Sequence, residues 1–312
     1  MGFIFSNENF NCTMRLFFGL VFLVFSSNIL SQDLAYFQPA SSGSVIHKKY
    51  FSLAYSEEHE QALWVFYELS LEETVARVKR KNNFRSDPNI KSGSASLADY
   101  RGSGFDRGHL APAGDMAFNK DAMSASFFMS NMSPQLPAFN RGRWKDLESQ
   151  FRDWARADGS LFIVTGPVLK KGLYKIGVNG VSVPEQYYKI ALDWDDSNQA
   201  AIAFLLPHKN ISDKLENYIV SIDSIEALTG IDFFPTLDDD IERQIESELA
   251  SFDFWRGTRI VKHETSSIES DNYSIDPPVE ERPTINKYWL LFLLFIALLI
   301  LLILVYKFRK KL

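Results

Sequence analysis

The middle of the chain carries apolar positions at two periods, one alternating as in a strand and one recurring every three to four residues as in a helix. Val45 to Tyr55 and Ala62 to Leu69 predict strands, the second rich in aromatic and apolar residues (Trp64, Val65, Phe66, Tyr67). Leu161 to Thr165, Tyr188 to Leu192 and Ala201 to Leu206 are short apolar runs bounded by Gly, Pro or Asp, and predict three more. Helical spacing is clearest over Phe139 to Ala157, Ser221 to Thr229 and Asp238 to Ser247. In the first of these, Trp144, Leu147, Phe151, Trp154 and Ala155 form a stripe that predicts a buried face. Strands and helices interleave without regular βαβ spacing and without internal repeats, so the pattern predicts an α+β domain with no doubly wound sheet.

The two ends follow other patterns. Met14-Arg15 precedes the apolar run Leu16 to Phe25 and the small residues Ser26, Ser27 and Ser31, so residues 1–31 read as a secretory signal peptide. An uncleaved anchor and a buried helix are the competing readings; the short apolar core with a basic residue before it favours the cleaved signal. Tyr288 to Tyr306 contains no charged residue. As a helix it is about 28 Å long at about 1.5 Å per residue, enough to cross a bilayer. Tyr288, Trp289 and Tyr306 suit the interfaces, and the basic tail 307–312 suits the cytoplasmic side. A core helix would carry a polar face over such a length. Residues 263–287 are rich in Ser, Glu, Asp and Pro and read as an acidic, solvated stalk. The expectation is a single-pass protein of the cell envelope, with a domain at 32–262 on the extracytoplasmic side.

Composition narrows the chemistry. At 312 residues, 46% hydrophobic and 23% charged, the chain is long and apolar enough for one substantial folded domain. Its single cysteine, Cys12, lies in the targeting segment, which removes disulfides, thiolate metal sites and a cysteine nucleophile together. The net charge of −6 argues against a uniformly basic surface. It leaves room for a local positive cleft, since a charge total describes only the whole molecule.

The segment Asp106-Arg107-Gly108-His109-Leu110-Ala111-Pro112 is the most informative. Gly102, Gly104 and Gly108 have the spacing G-x-G-x-x-x-G, which excludes a dinucleotide fingerprint. Alone, the segment reads equally as a surface turn. Downstream residues change the balance: Asn131 in Ser130-Asn131-Met132, Asn140 in Phe139-Asn140-Arg141, and Glu148 in the predicted helix. Phosphodiester hydrolysis needs a water, a base for its proton and positive charge where oxygens become negative. His109 titrates near neutrality and suits the base. Arg107 suits phosphate. Asn140 offers a carbonyl oxygen to a hard divalent cation, and Glu148 could hold the cation's waters; Mg²⁺ keeps several waters and needs few protein ligands. In isolation Asn140 reads as a helix cap and Glu148 as a solvated charge.

These segments together resemble the DNA/RNA non-specific endonuclease family, the endonuclease G branch more closely than the secreted Serratia branch. The resemblance continues through Trp144, Val164-Thr165-Gly166-Pro167, Val183-Pro184-Glu185, Tyr188-Lys189 and Leu228-Thr229-Gly230-Ile231-Asp232-Phe233-Phe234-Pro235, in order along the chain. It implies an antiparallel sheet flanked by helices, with a ββα-metal (His-metal) finger carrying His109 as base and Asn140 as direct metal ligand. It implies Glu148 as an outer-shell residue, Arg107 as a phosphate-stabilising residue and Asn131 as a residue supporting the site. DNA and RNA would be cut to 5′-phosphate products with Mg²⁺, Mn²⁺ being the alternative, and a second copy of the chain is a candidate partner. The family also uses an upstream arginine. Of the run Arg77, Lys79, Arg80, Lys81 and Arg85, the choice falls on Arg85, with Arg141 as a second substrate contact. That run, with Arg141, Arg143, Lys145 and Arg152, would form a positive groove that reads backbone and not bases. The stalk and membrane helix stand outside the family's core, and the chain lacks cysteines for the disulfides that secreted relatives can use.

Overall fold

Strand runs that are apolar on both faces need a covering layer on each side. The computed structural model, which describes residues 36–40, 43–195, 198–253 and 255, has that arrangement. The chain divides into two units, Met1–Ile260 and Val261–Leu312, and every described residue belongs to the first. The expected signal peptide, stalk, membrane helix and basic tail lie outside the described residues. Among those described, no helix is long and apolar enough to cross a membrane.

In chain order the strands are β1 (Ser44–His47), β2 (Ser52–Ser56), β3 (Gln61–Ser70), β4 (Asp106–His109), β5 (Met132–Gln135), β6 (Ser160–Pro167), β7 (Lys175–Ile176), β8 (Val181–Ser182), β9 (Gln186–Asp195), β10 (Asn198–Pro207) and β11 (Ile219–Val220). The α-helices are α1 (Leu97–Tyr100), α2 (Lys120–Ala125), α3 (Pro137–Asn140), α4 (Arg143–Asp158), α5 (Ile222–Thr229) and α6 (Asp239–Ser247). One seven-stranded sheet runs β1-β2-β3-β6-β9-β10-β11 with every neighbouring pair antiparallel. This is the mixed α+β architecture that the pattern predicts, with the central antiparallel sheet that the resemblance implies.

Alternation along each strand sorts side chains between two cores. Val65, Tyr67, Ile163, Ala191 and Phe204 face α4, whose Trp144, Leu147, Phe151, Trp154 and Ala155 are all buried. Trp64, Phe66, Val164, Tyr188, Ile190 and Ala203 face the opposite way, toward Ile222 and Ile225 of α5 and Ile245 of α6. Both of those helices begin on a side-chain cap: Ser221 accepts from the Ser224 amide and Asp238 from the Asp240 amide.

Two expected elements are divided in the structure. The run from Val45 to Tyr55 is a hairpin, β1 and β2, with the Lys48 amide donating to the Phe51 carbonyl at 3.0 Å across the turn. Lys48 leaves the strand pattern to pair with the buried carboxylate of Asp87 at 2.7 Å. The helix expected from Phe139 is α3 followed by α4, parted at Arg141-Gly142. A Cβ at Gly142 would lie 2.5 Å from the Ala138 carbonyl oxygen, so the close approach that re-aims the chain there requires glycine.

Candidate active site

Asp106 to His109, which reads as a loop of mixed polar residues, is the short strand β4. It pairs antiparallel with β5, Gly108 opposite Ser133 and His109 opposite Met132. Gly108 cannot carry a side chain, because a Cβ there would lie 2.2 Å from the Gln135 side chain that covers it. Beyond β4 the chain is stapled by Asn131. Its Oδ1 accepts from the Ala111 amide at 2.8 Å, and its Nδ2 donates to the carbonyls of Ala111 and Ser126 at 3.0 and 2.8 Å. Asn131 is fully buried and acts on the site only by holding the residues that follow His109.

β4, α3 and α4 meet around a cleft of about 640 Å³. His109, Arg107, Asn140, Arg141 and Glu148 all line it. Five cationic side chains, Arg80, Arg107, Arg141, Lys145 and Arg152, face it with two carboxylates, Asp106 and Glu148, so a protein of net charge −6 has a positive cleft.

The His109 ring is clasped by aromatics. Phe127 meets it edge-on with centroids 4.8 Å apart, and Phe84 lies at 5.7 Å. Two guanidinium groups lie over the same aromatics, Arg107 at 4.2 Å from the Phe84 centroid and Arg80 at 5.0 Å from that of Phe127. The ring is 7% exposed and its Nε2 has no hydrogen-bond partner. Burial first, then the charges of Arg80 and Arg107, lower its pKa to about 3, so the imidazole is neutral at pH 7, the form a general base starts from.

That shift has a consequence for folding. The unfolded chain binds a proton at His109 near pH 6.5 while the folded chain resists it down to about pH 3, so its stabilising contribution is full above pH 6.5 and is lost as acid is added. Between pH 6.5 and pH 5 the loss is about 2 kcal/mol. Thermal unfolding in chelator should therefore fall more steeply with acid for the parent than for His109→Phe. Parallel profiles would contradict the burial of a neutral imidazole.

Asn140 closes α3. Its Nδ2 donates to Asp106 Oδ2 at 2.9 Å, which fixes the amide and leaves Oδ1 as the atom free to meet a cation. Arg141 grips the same carboxylate with two bonds, Nε to Oδ2 at 2.9 Å and Nη2 to Oδ1 at 2.7 Å. Burial pushes the Asp106 carboxyl up, but the hydrogen bonds from Arg141 and Asn140 and the charges of Arg141 and Arg107 hold it below its usual value. His208 fixes the start of α3, accepting from the Leu136 amide at Nε2, 2.6 Å away, while its Nδ1 lies 2.7 Å from the Pro184 carbonyl. The oxygen donors suit a hard divalent cation: an oriented amide oxygen with a carboxylate, Glu148, on the same cleft.

Glu148 is half-buried on α4, above a charged cluster within the core. Lys189 of β9 is fully buried and donates to Thr165 Oγ1 at 2.7 Å and Tyr67 Oη at 3.3 Å. Tyr67 donates to Asp115 at 2.7 Å, and Asp115 pairs with Arg152 at 2.6 Å. Burial raises the Glu148 pKa and lowers that of Lys189, while each charge favours the ionised form of the other. Lys189 and Asp115 are the site's hidden support. The available signal was a lysine inside the apolar run Tyr188 to Leu192.

The upstream arginine on the cleft is Arg80 and not Arg85. The Arg85 guanidinium donates to the carbonyls of Asn83 and Ser124, lies 3.8 Å from the Phe128 centroid, and lines a separate hollow with His47 and Lys48. Arg143 also turns away, to the carbonyls of Ser212 and Asp213. Position along the basic run carries no information on which member turns inward, since the run forms no regular element.

Residues 31–240 match the family described as DNA/RNA non-specific endonuclease. The chain is 36% identical over 206 residues to the mitochondrial nuclease EXOG of Xenopus laevis, covering 61% of this chain and 58% of that protein. It is 34% identical over 222 residues to nuclease C1 of Cunninghamella echinulata var. echinulata, covering 66% and 88%. Its fold is similar to that in a crystal structure of the EndoG/EndoGI complex, with a TM-score of 0.62 and 28% identity over 67% of this chain and 92% of that one. With two thirds of its residues matched in order and its cleft built on that matched stretch, the chain belongs to the DNA/RNA non-specific endonuclease family.

Proposed function

We propose that this chain hydrolyses phosphodiester bonds of DNA and RNA without regard to sequence or sugar, leaving 5′-phosphate ends. One observation carries the reading: a neutral imidazole and an amide oriented by Asp106 line a single cleft in which cations outnumber carboxylates. In this reading β4, β5 and the helices that follow form the ββα-metal finger. His109 takes the proton of the attacking water. An approaching phosphate brings negative charge beside the ring and raises its basicity at the moment it is needed. Arg107 and Arg80 oppose the charge that grows on the phosphoryl oxygens. Arg141 stays with Asp106 and so keeps Asn140 aimed. A divalent cation, Mg²⁺ foremost, held by Asn140 Oδ1 with Glu148 in its outer shell, would supply positive charge for the departing oxygen.

We further propose that residues 288–306 anchor the chain in a membrane with the nuclease domain on the extracytoplasmic side. The apolar run and its basic flank support this. A panel of plasmid DNA, RNA and small nucleotide diesters, each with Mg²⁺ and with chelator, tests the substrate. Cleavage of both polymers only with Mg²⁺ is the expected result, and activity confined to the small diesters would overturn the assignment.

A further inference from the structure

On the sheet face opposite α4, a group of carboxylates has no part in this chemistry. Asp223 and Glu226, one turn apart on α5, meet Glu246 of α6, and one carboxylate oxygen from each lies within 4.8 Å of the others. Glu246 is the anomaly among them. It is 6% exposed, and its Oε1 has no hydrogen-bond partner. Glu226 is better satisfied, accepting from the Phe233 amide at 2.7 Å. A buried carboxyl oxygen without a partner is costly, and three carboxylates at this separation repel one another unless positive charge lies between them.

Two agents can supply that charge, a proton on Glu246 or a cation. Burial, then the carboxylates of Glu226, Glu242, Asp223 and Asp232, all disfavour a bare negative charge on Glu246. The charged groups that act on it most are all carboxylates. The cluster is open on one side, since Asp223 is exposed and Glu226 half-buried, so an ion and its waters can enter. Three carboxylates from two helices match the needs of Ca²⁺, which takes roughly six to eight oxygen ligands in flexible geometry and completes its shell with water. Asp223 and Glu226 lie within the residues matched to the family and Glu246 beyond them.

We propose that Asp223, Glu226 and Glu246 form a divalent-cation site of the Ca²⁺ class, separate from the catalytic cleft, that clamps α6 against α5.

Thermal unfolding of the full chain, stripped with chelator and then titrated with Ca²⁺, tests it. The parent should melt roughly 5 °C or more higher at about 100 times the dissociation constant. Asn140→Ala should keep the part of the rise that Glu246→Gln loses, because that ion does not sit in the cleft. Glu246→Gln should lose most of the rise, while melting in chelator at least as high as the parent because the neutral amide relieves the repulsion. Asp223→Asn, at an exposed position with no role in packing the core, should lose it as well. Absence of a Ca²⁺-dependent rise in the parent would overturn the proposal and leave the proton as the charge. A rise undiminished in Glu246→Gln and Asp223→Asn would overturn it too.

Discussion

His109→Ala is expected to lower turnover on plasmid DNA by at least about 10²-fold, with nucleic-acid affinity in chelator changed by no more than a few-fold. A general base acts in the transition state alone. Phosphate contacts act throughout, and the five cations that line the cleft remain in place. The ring also packs between Phe84 and Phe127, so its removal leaves a gap, and an unfolding curve must show that the variant is folded when assayed. Nicking assays read the turnover and fluorescence anisotropy the affinity. Cleavage close to that of the parent would remove His109 from the chemistry. Loss of affinity in proportion to turnover would make it a binding residue instead.

Asn140→Ala should cost a similar factor, about 10² or more in turnover at fixed Mg²⁺, for a different reason. The amide is the cleft's oriented neutral oxygen donor, and Asp106 holds it in place through Nδ2. Truncation removes the donor while leaving the bidentate Arg141–Asp106 pair intact, so the cleft keeps its shape. Excess Mg²⁺ should restore part of the rate, which would not happen if the residue mattered only as the end of α3. A variant that cleaves within a few-fold of the parent at limiting Mg²⁺ would show that the cation is held elsewhere.

What was legible in the sequence follows the physics of each element. The α4 stripe and the inner strands β3, β6, β9 and β10 announce themselves because burial demands apolar residues at fixed spacing, and every stripe residue from Trp144 to Ala155 is buried. β4 hides, since three of its four residues line the cleft and the strand carries little apolar signal. The break between α3 and α4 was written only as Gly142, whose necessity depends on the Ala138 carbonyl arriving beside it. His109, Arg107, Asn140, Arg141 and Glu148 stand out in short motifs, and the fold brings all five to one cleft, where Arg141, expected to contact substrate, pairs with Asp106. Arg80 was not, because nothing local separates it from Arg85. The partners of Lys189, namely Thr165 and Tyr67 with Asp115 beyond, lie on three other segments and can be found only in three dimensions.

The central claim is that His109 and Asn140 serve one scissile phosphate, and the most direct measurement is a double-mutant cycle on turnover. Groups that act as a unit lose their effect together, so the account predicts that His109→Ala/Asn140→Ala is about as slow as the slower single variant. Losses that multiply, with the double variant slower by the product of the two single factors, would mean that the two residues act independently and would contradict it.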